Sequence, residues 1–168
     1  MMPNLSEEQK IEKFRDILFS SEYVVFLGGA GVSTESGIPD FRSKNGLYHQ
    51  KDKRYSKYRP EYLLSYDCLK HEPKIFFEYY RKYLDARDIK PNAAHLKLAE
   101  MENTGRLKGI VTQNIDGLHQ KAGSINVQEL AHIFHGQHIV IINKGKTKLE
   151  GKADVVFHES IGKILSLL

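Results

Sequence analysis

Phe26-Leu-Gly-Gly-Ala-Gly-Val-Ser-Thr-Glu-Ser-Gly-Ile-Pro-Asp-Phe-Arg-Ser43 is the stretch that decides the fold. The apolar run Tyr23 to Leu27 feeds straight into Gly28, Gly29, Ala30 and Gly31. Glycine at such a turn permits backbone angles that a side chain forbids, and it lets main-chain N–H groups come close to a ligand. A strand followed by this kind of turn is a ready cradle for the phosphates of a nucleotide. As a dinucleotide fingerprint the run is incomplete. Gly29 and Gly31 supply two glycines, Thr34 stands where a third is expected, and no acidic residue ends a second strand at the usual distance. Taken alone, Gly29-Ala-Gly31 fits equally well a turn of small residues that binds nothing.

The continuation narrows the choice. Ile38-Pro-Asp-Phe-Arg42 sets a rigid proline, a carboxylate, an aromatic ring and a guanidinium in consecutive places. Asp and Arg are rarely buried without partners, so the segment is not simply core. Phe41 can cover a bound cofactor while Arg42 reaches a phosphate with two parallel hydrogen bonds. A surface turn with a local ion pair is the weaker alternative.

Further along, Leu107-Lys-Gly-Ile-Val-Thr112 has the apolar content of a short buried strand, and it ends in Gln113-Asn-Ile-Asp-Gly-Leu-His119. Together with Pro91-Asn-Ala-Ala-His95, these strings resemble the sirtuins, the NAD-dependent protein-lysine deacylases. The resemblance runs from about Phe14 to Glu129 and resumes near the C-terminus. Gly28 departs from it, since many members carry Thr there; the change enlarges the turn without removing a backbone donor. The resemblance implies NAD as cofactor and an acyl-lysine protein as substrate in intact relatives. It implies that Gly29, Ala30, Gly31 and Thr34 face the pyrophosphate and its ribose, and that Asp40, Phe41 and Arg42 cover the nicotinamide half. Gln113, Asn114, Ile115 and Asp116 then line the ribose and carboxamide pocket, with Asn143 at the adenosine end. A carboxylate accepts hydrogen bonds, which suits Asp116 to the NH₂ of nicotinamide. In such enzymes the acyl-lysine carbonyl attacks C1′ of the ribose, nicotinamide leaves, and a histidine base then leads on to 2′-O-acyl-ADP-ribose and free lysine.

Composition bounds the rest. A chain of 168 residues, 40% hydrophobic and 27% charged, suits one soluble globular domain. A net charge of +4 is too small and too dispersed to argue for nucleic acid. The densest basic stretch, Lys51 to Arg59, is interleaved with Tyr55 and Tyr58 and reads as a solvated loop. The single cysteine, Cys68, excludes an intrachain disulfide and a four-cysteine zinc site, so no metal is expected. No apolar run reaches membrane-spanning length and Met1-Met-Pro-Asn lacks signal-peptide character, which points to a cytoplasmic protein.

Periodicity orders the elements. Ser6-Glu-Glu-Gln9 is a capping box ahead of Ile11, Phe14, Ile17 and Leu18, a helix expected to pack on the glycine-bearing strand. Short helices in the tyrosine-rich stretch after Arg42 form a small module over 43–90, and Pro73 opens its strongest helix, to about Asp85. A helix over Asn92 to Asn103 stops at Gly105. Val127–Leu130, His138–Ile142 and Asp154–Phe157 read as strands, and Ser160 caps a last helix. The alternation predicts an α/β fold: a Rossmann-like parallel sheet with flanking helices and a small helical cofactor-loop module. Residues 1–130 form its N-terminal part, and 131–168 supply two strands and a helix that complete the sheet.

Sirtuins continue after the equivalent of Leu130 with a His-Gly dipeptide carrying the general base, a zinc module, a central strand ending in Gly-Thr-Ser, and a segment that pairs with the acyl-lysine peptide. Here Leu130 is followed by Ala131-His-Ile-Phe-His-Gly-Gln-His-Ile-Val140, which runs directly into Ile141-Ile-Asn-Lys144. One contiguous interior block is therefore expected to be missing, so the fold is truncated in its middle and lacks the zinc module. His135-Gly136 has the wrong spacing from Glu129, and His132 lacks the following glycine, so neither is taken as the base and no catalytic residue is assigned. Loss of the central strand is expected to bare an apolar strand edge unless Ile139–Ile142 moves in to pair with it. These features imply a sirtuin-type NAD-dependent deacylase by descent, inactive or strongly impaired. The alternatives are a non-enzymatic NAD-binding or partner-binding remnant, and a sequence that records part of a complete enzyme.

Overall fold

The computed structural model describes residues 5–129, 138–147 and 150–167; His132 and His135 lie outside the described residues. Helix α1, Glu7–Ser20, begins as its capping box dictates: the Ser6 hydroxyl accepts from Gln9 N–H at 3.2 Å, and Gln9 Oε1 accepts from Ser6 N–H at 2.9 Å. Phe14 and Leu18 form its buried stripe. Strand β1, Val24–Gly28, then enters a 3-10 turn over Ala30–Ser36 that ends at Gly37, whose φ of 94° favours glycine.

A tyrosine-rich module follows, with helices α2 (Tyr66–His71) and α3 (Pro73–Tyr83). Its own core holds Leu47, Tyr55, Leu63 and Tyr79, with the rings of Tyr55 and Tyr79 edge to face at 5.0 Å. Asp52 ties the module together by accepting from Lys82 Nζ at 2.5 Å and Tyr83 O–H at 2.9 Å. The Lys82 ammonium holds the Asp52 carboxyl well below the usual carboxylate range.

Helix α4 (Ala93–Asn103) leads into strand β2 (Leu107–Thr112), short helix α5 (Leu118–Lys121) and strand β3 (Val127–Glu129). The three strands form one parallel ladder, β1-β2-β3, with Phe26 opposite Ile110 and Gly28 opposite Thr112. Strands β4 (Val140–Ile142) and β5 (Val155–Phe157) form a second parallel ladder, and helix α6 (Ile161–Leu165) closes the described chain. The Ser160 side chain caps α6 by accepting from Lys163 N–H.

Hydrogen bonding thus makes two ladders where the sequence predicts that 131–168 completes a single sheet. Strand β4 takes its hydrogen bonds from β5, and the pair is seated by apolar packing. Just before β4, Ile139 N–H donates to Asp154 Oδ2 at 2.9 Å and Asp154 N–H donates to Ile139 O at 2.8 Å. These bonds use the side of β4 that faces β5, through Ile139 and Asn143, and no strand hydrogen bond joins its other side to β1. Both ladders nevertheless rest on one core, in which Phe14, Leu18, Leu98, Leu107, Ile110, Val155, Phe157 and Ile164 are buried together. The expected seating of α1 on β1 is corrected as well: α1 lies chiefly against β5, with the Phe14 and Phe157 rings 5.9 Å apart and Lys13 Nζ donating to Asp154 O at 2.9 Å. Strand β1 keeps Val24 and Phe26 against the core but leaves Val25 and Leu27 bare on its other face.

Candidate functional site

The parallel register of β1 and β2 brings their C-terminal ends out side by side, where open α/β sheets bind ligands. Gln113 N–H donates back to Gly28 O at 3.0 Å, so the glycine turn and the Gln113–His119 segment leave the sheet as neighbours. The 3-10 turn buries Ser33 completely. Its hydroxyl donates to Asp116 Oδ2 at 2.6 Å and accepts from Asn114 Nδ2 at 3.1 Å. Asn114 Nδ2 also donates to Gly29 O at 3.2 Å, and Asn114 N–H donates to Thr112 Oγ1 at 3.0 Å. Gly117, with a φ of 69°, turns the chain so that Asp116 Oδ1 accepts from Leu118 N–H at 2.9 Å while Oδ2 stays on Ser33. Asn92 closes the far side by donating from Nδ2 to Val32 O at 2.7 Å.

The backbone in front of this network is open. A Cβ built on Gly31 meets nothing within 4 Å, and one on Gly29 sits 3.4 Å from Gln113 Oε1. The turn therefore offers open space beside its backbone N–H groups. Arg42 is exposed and forms no ion pair among the described residues, so its guanidinium is free to meet an anion. Gly28 has a steric reason of its own: a Cβ there would lie 2.6 Å from the Phe26 ring, so a larger residue requires that ring to move.

The remaining predicted residues are placed unevenly. Gln113, Asn114, Ile115 and Asp116 gather with Gly29, Ala30 and Gly31, with Ile115 72% exposed at the rim. Thr34 is half-buried and donates its hydroxyl to Gly31 O at 2.8 Å, which steadies the turn. Asp40 organises its own loop, accepting from Ser43 N–H at 3.0 Å. Phe41 packs on Tyr48 with ring centroids 5.6 Å apart and lies, partly buried, against the tyrosine module's core. Asn143 sits just past β4, donating to Gly145 O at 2.6 Å, and no hydrogen bond among the described residues links it to the turn.

Three participants escape a reading of the motifs. Ser33 is the hub of the network, and it lies inside the glycine string that opens the site. His95 and His119 lie beneath it, fully buried, with ring centroids 4.8 Å apart and His119 also against Phe26 at 6.0 Å. His95 Nδ1 accepts from Asn92 N–H at 3.3 Å, while His95 Nε2 and both His119 nitrogens have no partner among the described residues. Burial pushes both imidazoles down, His95 to about 4 with His119 adding to the effect, so the pair is neutral at physiological pH.

The sequence profile of the Sir2 family matches residues 29–148. An NAD-dependent protein deacetylase of Clostridium acetobutylicum is 56% identical over 126 residues, covering 75% of this chain and 51% of that protein. One from Clostridium perfringens is 46% identical over 168 residues, covering 90% of this chain and 68% of that protein. The chain thus spans about half the length of the first relative and about two thirds of the second. A solved Sir2 variant with a deacetylated p53 peptide and 3′-O-acetyl ADP-ribose superposes with a TM-score of 0.80 at 23% identity, covering 94% of this chain and 96% of that one.

Proposed function

This chain belongs to the Sir2 family, and on that premise we propose that it binds NAD at the ends of β1 and β2 and is a sirtuin-type protein-lysine deacylase by descent, with turnover lost or strongly impaired. The observation that carries the binding half is the Ser33–Asp116–Asn114 network, which locks the glycine turn to the Gln113–His119 segment. Bound NAD supplies an electrophilic C1′ with nicotinamide as its leaving group. Asp116, fixed by Ser33 and Leu118 N–H, keeps lone pairs to accept from the carboxamide NH₂. Asn114 orients the ribose side, and the turn's N–H groups with Arg42 hold the pyrophosphate. The acyl-lysine of a protein is the substrate class that the relatives' activity suggests.

The impairment rests on what the interior of the chain does not supply. A base must stand within hydrogen-bond reach of its proton, and its loss costs roughly 10²–10⁴-fold. Loss of the substrate-pairing segment adds to that. A single cysteine leaves no four-cysteine zinc module, and no group of three or more His, Cys, Asp or Glu among the described residues is arranged to hold a metal. No described helix is long and apolar enough to cross a membrane. The second reading, an NAD-binding remnant without enzymatic turnover, is favoured by the same contrast between an assembled cradle and an unassigned base.

Calorimetry with NAD and a deacylation assay on an acetyl-lysine peptide test the proposal. Binding without detectable turnover supports the proposal. Robust turnover overturns the impairment, and if His135→Ala alone then abolished it, His135 would be the working base. Absence of any NAD binding overturns the site.

A further inference from the structure

The side of β1 away from β2 has no partner strand among the described residues. Successive residues of a strand turn their backbone groups to opposite sides. Gly28 O accepts from Gln113 N–H on the β2 side, so Phe26 also faces β2, and the N–H and C=O groups of Val25 and Leu27 face outward. The devices that usually protect such an edge are missing: Val24-Val-Phe-Leu-Gly28 contains no charge and no proline. One face of the strand is bare too, with Tyr23 75%, Val25 38% and Leu27 56% exposed.

We propose that this edge pairs with the same edge of a second copy of the chain, as an antiparallel seam centred on Phe26. The strand complements itself in that register. Val25 and the partner's Leu27 exchange two backbone hydrogen bonds, and Leu27 does the same with the partner's Val25, so all four outward groups of each copy are satisfied. On the bare face the same register sets Val25 against the partner's Leu27. Charge permits it: the nearest ionised residue, Glu22, falls opposite the partner's Ala30, so two chains of net charge +4 meet along a neutral strip. Two-fold pairing uses up the β1 edge of both copies at once. A seam one strand long is small, which places the association on the order of micromolar or weaker.

Sedimentation equilibrium on the full chain from low to high concentration tests this, beside amide exchange of the wild type. The expected result is a reversible monomer–dimer equilibrium, with Val25 and Leu27 amides protected only when the chain is concentrated. Val25→Lys, an exposed position outside the cradle, should weaken the dimer several-fold by removing both Val25–Leu27 contacts and setting two like charges diagonally across the seam. The exchange measurement stands even if that variant fails to fold. A monomer at every concentration overturns the proposal, as does a dimer whose Val25 and Leu27 amides exchange freely. Open-ended fibres, or a foreign peptide bound stoichiometrically along β1, would overturn it equally.

Discussion

The nucleotide cradle and the C-terminal strand pair are held to the molecule by opposite means. Around Ser33 the links are polar and directional: Asn92 to Val32, Asn114 to Gly29 and Ser33 to Asp116 each join segments remote in sequence. Around Phe157 the links are chiefly apolar, with Lys13 Nζ donating to Asp154 O as a polar addition, and no strand hydrogen bond crosses from the β4–β5 ladder to β1. Apolar burial is non-directional, so a ladder can stay in the core without a neighbouring strand. A hydrogen-bonded constellation cannot shift by an ångström and keep its partners. Binding geometry and sheet continuity are therefore separable in this chain.

The harshest way to break that contrast is Phe157→Ala. Phe157 is fully buried against Phe14, and truncating such a ring costs about 3–5 kcal/mol. That is a large part of a typical domain's stability. Because both ladders share one core, the whole chain should melt in a single transition at a much lower temperature, taking NAD binding with it. A cradle that melts unchanged while the C-terminal ladder is lost would show that the ladder is an appendage.

Acid separates the two regions next. His95 is buried neutral and titrates near 4 in the fold, against about 6.5 when unfolded. The unfolded chain binds the proton first, so this contribution to stability is fully present above about pH 6.5 and is lost as pH falls toward 4. The loss is on the order of 3 kcal/mol, and His119 acts in the same direction. Thermal melts across that window should show the decline, and His95→Gln should flatten it. A slope unchanged by that substitution would place the acid sensitivity elsewhere.

How much of this could be read beforehand follows from the same contrast. Local rules placed the capping box at Ser6, the proline start of α3, the stop at Gly105 and the strand Leu107–Thr112, because each depends on residues a few places apart. The motif strings likewise marked Asn114 and Asp116. Ser33 was overlooked because a serine in a turn has the same local pattern whether it faces solvent or a carboxylate 83 residues away. The division into two ladders was not legible either. Which strand pairs with which is decided by long-range packing, and a run such as Val140–Ile142 carries no mark of its neighbour. The packing of Phe41 on the tyrosine module is of the same kind: an aromatic ring rests on whichever apolar surface lies within reach.

A smaller effect sharpens the polar side of the comparison. Ser33→Ala removes a hydrogen bond to a carboxylate, worth about 1.5–3 kcal/mol in general. Part of that falls on the fold and part on the ligand, so NAD affinity should drop roughly tenfold. Asp116→Asn should do the same through the carboxamide. Calorimetry showing unchanged affinity in both variants would mean that the network is structural and that NAD, if it binds, does so elsewhere.

The smallest effect expected is at Arg42, and it tests whether the cradle's outer rim resembles its interior. Ser33 is sealed from water, but Arg42 is exposed and held by no ion pair among the described residues. A charge in water interacts through a high dielectric and is screened within about 8–10 Å at physiological salt. Its contact with a phosphate should therefore be worth only a few-fold in affinity. Arg42→Ala should weaken NAD binding about threefold to fivefold at low ionic strength, and the difference should shrink toward nothing at high salt. The Ser33→Ala deficit should persist across the same titration, since salt does not reach a buried hydrogen bond. If the Arg42→Ala loss equals that of Ser33→Ala and ignores salt, the Phe41–Arg42 loop must close over the ligand and bury the guanidinium. The rim would then belong to the same class of contact as the network beneath it.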